Sequence, residues 1–295
     1  MSIVSSIFRS SVLAVLTAST ISATTLGAEE DKVAKGSSIM TEVFHRFHIN
    51  YEMSRTHKVG YYQEAMENTE GIHYLAESIV DIYVPHNISS KSHASIKPLR
   101  ARKVVFEDVN AENVLFGNAS DMARCSIWRP NSFLSEKNRD NYTFRFKDDS
   151  LFHRLKVHVI EFKPVNSKGN VSGTILVDQS SFAILHIDYK PDATASKLWK
   201  EVTWTEEWYF TEGKYELSKV KFEGLSSKNR NEYSATLVMQ HVKVLSQIPE
   251  SDSFLDADAS IFEHAKEYSN ETFWKGYQDL KHDVEVEHVV HLAAK

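Results

Sequence analysis

Cysteine is nearly absent from this chain of 295 residues: Cys125 is the only one. A lone thiol forms no intrachain disulfide, so no covalent staple holds the fold. Its neighbours Met122, Ala123, Arg124, Ser126 and Ile127 bring no base to it, and the expected role is that of a small buried hydrophobe. Glycine is scarce, with ten residues, and proline scarcer, with six. Neither the phosphate loop G-x-x-x-x-G-K-[ST] nor the dinucleotide fingerprint G-x-G-x-x-G occurs, so few places exist for backbone to cradle a phosphate. The nucleophile elbow G-x-S-x-G and the zincin pattern H-E-x-x-H are missing too. No charge sign dominates: 34 basic side chains are interleaved with 40 acidic ones, for a formal net charge of −6. That balance argues against a nucleic-acid partner, which calls for a basic stripe or patch.

Apolar content is sufficient for a full core, at 42% hydrophobic against 25% charged. The first segment, MSIVSSIFRSSVLAVLTASTISATTLGAEE, has Arg9, an apolar stretch from Val12 to Leu26 and small residues before Glu29. It reads as a secretory signal peptide over residues 1–28, cut after Ala28 or alternatively after Ala23. No later stretch is apolar for ~20 residues, so no transmembrane span is expected after its removal. The expected location is extracytoplasmic: periplasm, or associated with the outer membrane.

Residues 29–295 read as a single β-rich domain. A helix is expected over residues 38–51, capped by Ser38, with Ile39, Val43, Phe44, Phe47 and Tyr51 along one stripe. Strands follow over about 59–245: Val59–Glu67, Ile72–Val84, Leu99–Glu107, Tyr142–Lys147, Leu155–Lys163, Gly173–Val177, Phe182–Tyr189, Trp199–Phe210, Tyr215–Phe222 and Glu232–Leu245. Each alternates β-branched and aromatic residues with polar ones, and short turn sequences such as NTEG and NSKGN link consecutive runs. In Ile72–Val84, Tyr74, Ala76, Ser78, Val80, Ile82 and Val84 share a face by the two-residue period. All six prolines are read as lying outside these runs or at their edges. Helical segments are expected again over 254–280. The fold class is α+β, mainly β: a large curved antiparallel sheet, or open barrel, with a few helices on its concave face.

Chemistry is harder to find. His45 and His48, and likewise His288 and His291, are three apart and suit a shared helical face, but no further metal ligand is identified. No cofactor, metal ligand or catalytic residue is therefore assigned. Glu206 and Glu207 are adjacent in a strand and point to opposite faces. Glu206, in phase with Val202, Trp204, Trp208 and Phe210, is expected to pair with a lysine or arginine of the next strand. Five N-x-[ST] sequons, at Asn87, Asn118, Asn141, Asn170 and Asn270, exceed chance only slightly. The clearest signal is aromatic, because large rings dominate cores and interfaces alike. Candidate ligand-binding residues are Val202, Trp204, Trp208 and Phe210, followed by Val80 and Ile82.

The order of motifs resembles a known family. HINY at 48–51, VGYYQEAMENTEGIHYLAESIVDIYVP from Val59, RARK at Arg100–Lys103 and SFLSEKNRDNYTF at Ser132–Phe144 are followed by VHVIEFKP at Val157–Pro164. GTILVDQSSFAI at Gly173–Ile184, WKEVTWTEEW from Trp199 and ETFWKGY near Glu271 complete the series. It is similar to secreted or outer-membrane-associated bacterial proteins of undefined activity, often found downstream of a carboxypeptidase-regulatory-like domain. The strand–turn–strand GTILVDQSSFAILHIDY also resembles the sheet of the lipoprotein-carrier (LolA-like) open barrel. That resemblance implies a non-enzymatic binding protein holding an apolar ligand, a lipid or lipoprotein, or a cell-envelope partner on the concave face. A hydrolase or metal-dependent enzyme with a histidine–carboxylate site, and an envelope assembly protein, are the alternatives.

Overall fold

The two-residue period of the sequence becomes the two faces of one sheet. The computed structural model describes residues 27–69, 71–86, 93–105, 119–124, 126–127, 132–191, 198–228, 231–256 and 259–267. Within them run β1 (Arg55–Asn68), β2 (Gly71–Val84), β3 (Ser95–Val105), β4 (Tyr142–Phe152), β5 (Leu155–Pro164) and β6 (Val171–Asp178). They continue as β7 (Ile184–Pro191), β8 (Trp199–Thr211), β9 (Lys214–Ser226) and β10 (Glu232–Leu245). The spatial order is β3-β2-β1-β10-β9-β8-β7-β6-β5-β4, antiparallel throughout, and the two-residue β11 (Lys266–Glu267) adds in parallel to β3. β4 and β3 lie at opposite ends and do not meet, so the sheet is open.

Local chemistry makes the hairpins. β8 and β9 turn on Glu212 and Gly213, with φ of 48° and 86°, and β4 and β5 turn on His153 and Arg154, with φ of 46° and 71°. Such two-residue left-handed turns match the twist of the strands they join. Pro98 lies inside β3, not outside it as expected. It sits where the pairing with β2 slips by one residue, from Ile79↔Arg100 to Val80↔Pro98. Among the described residues the other edge of β3 has no strand partner there, because β11 reaches only Arg102 and Lys103. Both circumstances remove the need for an N–H.

One row of register partners crosses the sheet: Ala101, Ser78, Tyr62, Leu237, Val220, Glu206, Ile187, Ile175, Ile160 and Phe146. All but the two end members are buried. This is the concave face, and the chain's own helices fill it. Residues 27–45 form α1, followed by α2 (Phe47–Asn50). Ile39, Met40, Val43 and Tyr51 are buried in the core, with Phe44 and Phe47 packed against it. The helix starts well before Ser38, because AEEDKVAK supplies strong helix formers ahead of it. Gly36 lets α1 lie directly on β4, where an added Cβ would fall 2.5 Å from the carbonyl oxygen of Phe144.

A second filler comprises α3 (Ala119–Met122) and the stretch around Phe133 and Leu134, all within the core cluster. Phe133 stacks on Phe162 with centroids 4.2 Å apart. α4 (Ile261–His264) covers the β2 end, with Phe262 4.6 Å from the ring of Tyr74. Of the expected 254–280 helical region, 261–264 is helical, whereas 254–256 and 259–260 are irregular and 266–267 form β11; residues 257–258 and 268–280 lie outside the described residues, as do residues 1–26 of the expected signal peptide.

Candidate functional site: a cleft between two strands

β9 and β10 pair from Glu232↔Leu225 to Val238↔Lys219, and there the pairing ends. β10 runs on to Leu245 along β1, while β9 runs back to Lys214 along β8. An extra residue sits beside each parting strand. Opposite β8 the partner jumps from Lys219 to Leu217 and leaves Ser218 over, and opposite β1 it jumps from Lys243 to His241 and leaves Val242 over. Bulges of this kind bend a strand and increase its local twist, so the two ends swing apart. Between them is a cleft of about 740 Å³. Its apolar wall is Phe152, Tyr209, Leu217, Val238 and Met239.

Its polar wall is a buried charge cluster. The Lys58 Nζ lies 2.9 Å from Glu216 Oε2 and donates to the Leu217 carbonyl oxygen at 2.9 Å. His241 Nδ1 lies 2.7 Å from Glu216 Oε1, off the ring's N–H axis, and Nε2 is 3.7 Å from the exposed Glu212. The side chains of Lys58, Glu216 and His241 are only 7%, 8% and 7% exposed. Burying charge is tolerable only where it is paired, and one carboxylate here serves two basic groups. Neither Nδ1 nor Nε2 of His241 has a hydrogen-bond partner. Lys58, Glu216 and Leu217 also wall a smaller inner cavity of about 50 Å³, which Tyr51, Thr56 and Trp208 help to line.

The paired half of β1 carries a different polar group. Glu64 is fully buried and accepts from Tyr62 at 2.9 Å and Tyr233 at 2.6 Å. Burial, then the nearby Glu64 carboxylate, pushes the Tyr62 and Tyr74 phenols well above their ordinary range; burial, then the neighbouring Tyr62 and Glu64, does the same for Tyr233. These hydroxyls therefore remain donors, and the arrangement holds strands together.

Val80 and Ile82 are fully buried in the core, with Ile82 in register with Lys58 and Val80 with Gly60. Val202 is buried, and Trp204 is half-buried, stacked on Tyr189 and edge-on to Phe222. Trp208 reaches the inner cavity, whereas Phe210 is 54% exposed at the strand tip with its ring against Tyr215. Glu206 faces Val220 and Ile187 in the adjoining strands, so neither neighbour in register is the expected cation. It accepts from the Ser126 backbone and hydroxyl and from the Tyr189 hydroxyl, which ties the second filler to the sheet.

Other histidines lie beside carboxylates: His57 by Asp81 at 2.9 Å, His158 by Asp149 at 2.6 Å, and His186 by Asp188 at 2.8 Å and Glu207 at 3.7 Å. Among the described residues no group of three or more His, Cys, Asp and Glu could hold a metal ion. His45 and His48 lie on α1 and α2, and His288 and His291 lie outside the described residues. Sequence reasoning missed Lys58, Glu216, Met239 and His241. Two of them carry a signal: Lys58 is in phase with Gly60 and Tyr62, and His241 with Leu237 and Met239, so both are polar residues on a buried face.

No protein-family model matches the chain, and no curated protein matches it by sequence. Several solved structures are similar in fold. One is a domain assigned to outer membrane lipoprotein sorting in Vibrio parahaemolyticus, at 13% identity and a TM-score of 0.36, covering 75% of this chain and 97% of that one. A DUF1329 family protein from Desulfovibrio piger follows at 11% identity and 0.33, covering 73% and 95%. A LolA superfamily protein from Nitrosomonas europaea gives 12% and 0.31, covering 72% and 94%. Likenesses at this level carry nothing about ligand or partner. The architecture is the expected LolA-like open barrel: an unclosed antiparallel sheet with helices on its concave face. The association with a carboxypeptidase-regulatory-like domain has no match behind it. Among the described residues no helix is long and apolar enough to cross a membrane.

Proposed function

We propose that this chain is an extracytoplasmic binding protein that holds an apolar partner of the cell envelope in the β9–β10 cleft and does no chemistry on it. The observation that carries this reading is the cleft itself, of about 740 Å³ and walled by Phe152, Tyr209, Leu217, Val238 and Met239. A volume of that size suits a specific ligand site. The concave face, where a partner was first expected, is taken by α1, α2 and the second filler. None of the six residues proposed from sequence lines the cleft: Trp208 lines the small inner cavity, Phe210 is exposed at the strand tip against Tyr215, and Val202, Trp204, Val80 and Ile82 belong to the scaffold. The N-terminal leader pattern supports export. Covering about 300 Å² of apolar surface contributes roughly 7 kcal/mol at ~25 cal/mol per Å² before the cost of association, which makes micromolar binding reachable.

A histidine–carboxylate hydrolase finds less support. The one such pair at the cleft is His241–Glu216, and the adjacent Ser218 hydroxyl donates to the Glu207 carbonyl oxygen at 3.1 Å. The test is native mass spectrometry of protein purified from its own host, with uptake of a fluorescent fatty acid and of fluorescent peptides. Bound mass or uptake, lowered in Tyr209→Asp, is expected. A clean unliganded mass with no uptake of either probe overturns the reading.

A further inference from the structure

We infer that the partner in the cleft is an extended polypeptide segment, taken up as an added strand along the outer edge of β10; this rests on the binding reading above. The first ground is the backbone. From Met239 to Leu245, β10 is paired to β1 on one side, and its pairing to β9 has ended. Seven residues at ~3.4 Å each offer an edge about 24 Å long, enough for a six- or seven-residue segment. Among the described residues this edge has no strand partner, and its first residues, Met239 to His241, line the cleft; such an edge is a template for main-chain hydrogen bonds, as in strand addition.

The second ground is the surface beside it. Of eleven large hydrophobic residues exposed among those described, four flank the parted strands: Tyr209, Phe210, Val242 and Val244. Alternate side chains of an added strand would meet them. The third ground is the polar wall. Lys58 donates to the Leu217 carbonyl and is ion-paired with Glu216, whose Oε2 has no hydrogen-bond partner. His241, itself 7% exposed, presents Nε2 without a hydrogen-bond partner. A peptide group supplies an acceptor oxygen and a donor N–H side by side, so it can partner the Lys58 ammonium and a ring nitrogen of His241 that either donates or accepts; an acyl chain supplies neither group. Lys58 and Lys219 are balanced by Glu207 and Glu216 along the lining, so the segment is uncharged at its centre and apolar at alternate positions.

The experiment pans a phage-displayed decapeptide library against the full chain. A selected peptide is then resynthesised with N-methyl groups on either alternate set of amides. We expect one N-methyl set to weaken binding at least tenfold and the other far less. The double variant Val242→Lys/Val244→Lys should weaken it by a similar factor with an unchanged melting temperature. No enriched peptide, or binding indifferent to both N-methyl sets, overturns the inference. Fatty-acid uptake that persists in that case leaves the cleft as a binding site for another class of ligand, whereas failure of both probes removes the cleft reading as well.

Discussion

Between Glu232 and Val238, strand β10 is held by β9 on one side and β1 on the other, and its inward residues Tyr233, Ala235 and Leu237 are buried. Between Met239 and Leu245 the same strand is held, among the described residues, by β1 alone, and Val242 and Val244 are exposed. The composition of the two halves differs little, since both alternate apolar and polar residues. The difference lies in the neighbours. One supernumerary residue opposite β8 and one opposite β1, Ser218 and Val242, turn a closed sheet into a cleft. Where the apolar row is continuous the sheet closes on its own helices; where it breaks, the Lys58–Glu216–His241 cluster takes over and the edge is left for a partner.

Substitutions can break this contrast, and the largest effect is expected at the parted end. Lys58→Met leaves Glu216 buried with its main counter-charge gone, and should cost about 4 kcal/mol in urea unfolding. Replacing Glu216 as well, in Lys58→Met/Glu216→Leu, should recover about half of that, because two apolar groups need no pairing. If the single variant is neutral, the cluster does not hold the cleft wall. At the paired end, Leu237→Ala removes a fully buried side chain from the transverse row, at an expected cost of about 3 kcal/mol. Peptide binding per folded molecule should survive, since the row is behind the cleft.

Asp178, the last residue of β6 before the turn to β7, serves as a control away from the cleft. Burial raises its carboxyl pKa, but hydrogen bonds from the side chains and backbones of Ser180 and Ser181 outweigh that and hold it below the ordinary carboxylate range. A carboxyl lowered by folding stabilises fully above its unfolded pKa of about 3.9, and that contribution is lost as pH falls through the native value. Thermal melts should therefore show the wild type losing stability faster than Asp178→Asn on going from pH 5 toward pH 2. At neutral pH Asp178→Asn should cost about 1 kcal/mol and leave cleft binding unchanged. Smallest in stability is Val242→Lys/Val244→Lys, expected to stay within about 0.5 kcal/mol because both positions are exposed.

Much of the scaffold was legible. Each of the ten expected strands has a counterpart among the described residues, which add only the two-residue β11, because alternation of β-branched and aromatic residues over turns such as NTEG is a local signal. The face containing Tyr74, Ala76, Ser78, Val80 and Ile82 was read correctly, and all five are buried. The start of α1 was not, since Ser38 resembles a cap while the residues before it are equally good helix formers. Pro98 was excluded from a strand by a rule that a bulge at an unpaired edge suspends. The cleft was invisible for a deeper reason. It depends on the register between strands far apart in sequence, and Ser218 and Val242 look like ordinary members of their alternating runs. The aromatic strand drew attention to Trp204 and Trp208, but rings that large serve the core first. Lys58 and His241, polar residues in phase with buried ones, were the better pointers.

Hydrogen–deuterium exchange across β10, with and without a bound peptide, tests the central claim most directly. The unliganded protein should exchange slowly from Tyr233 to Val238 and measurably faster in the outward-facing amides from Met239 to Leu245. On addition of peptide, protection should rise in the second half alone. Uniform slow exchange along the whole strand before peptide is added, or protection that appears elsewhere, would contradict the account.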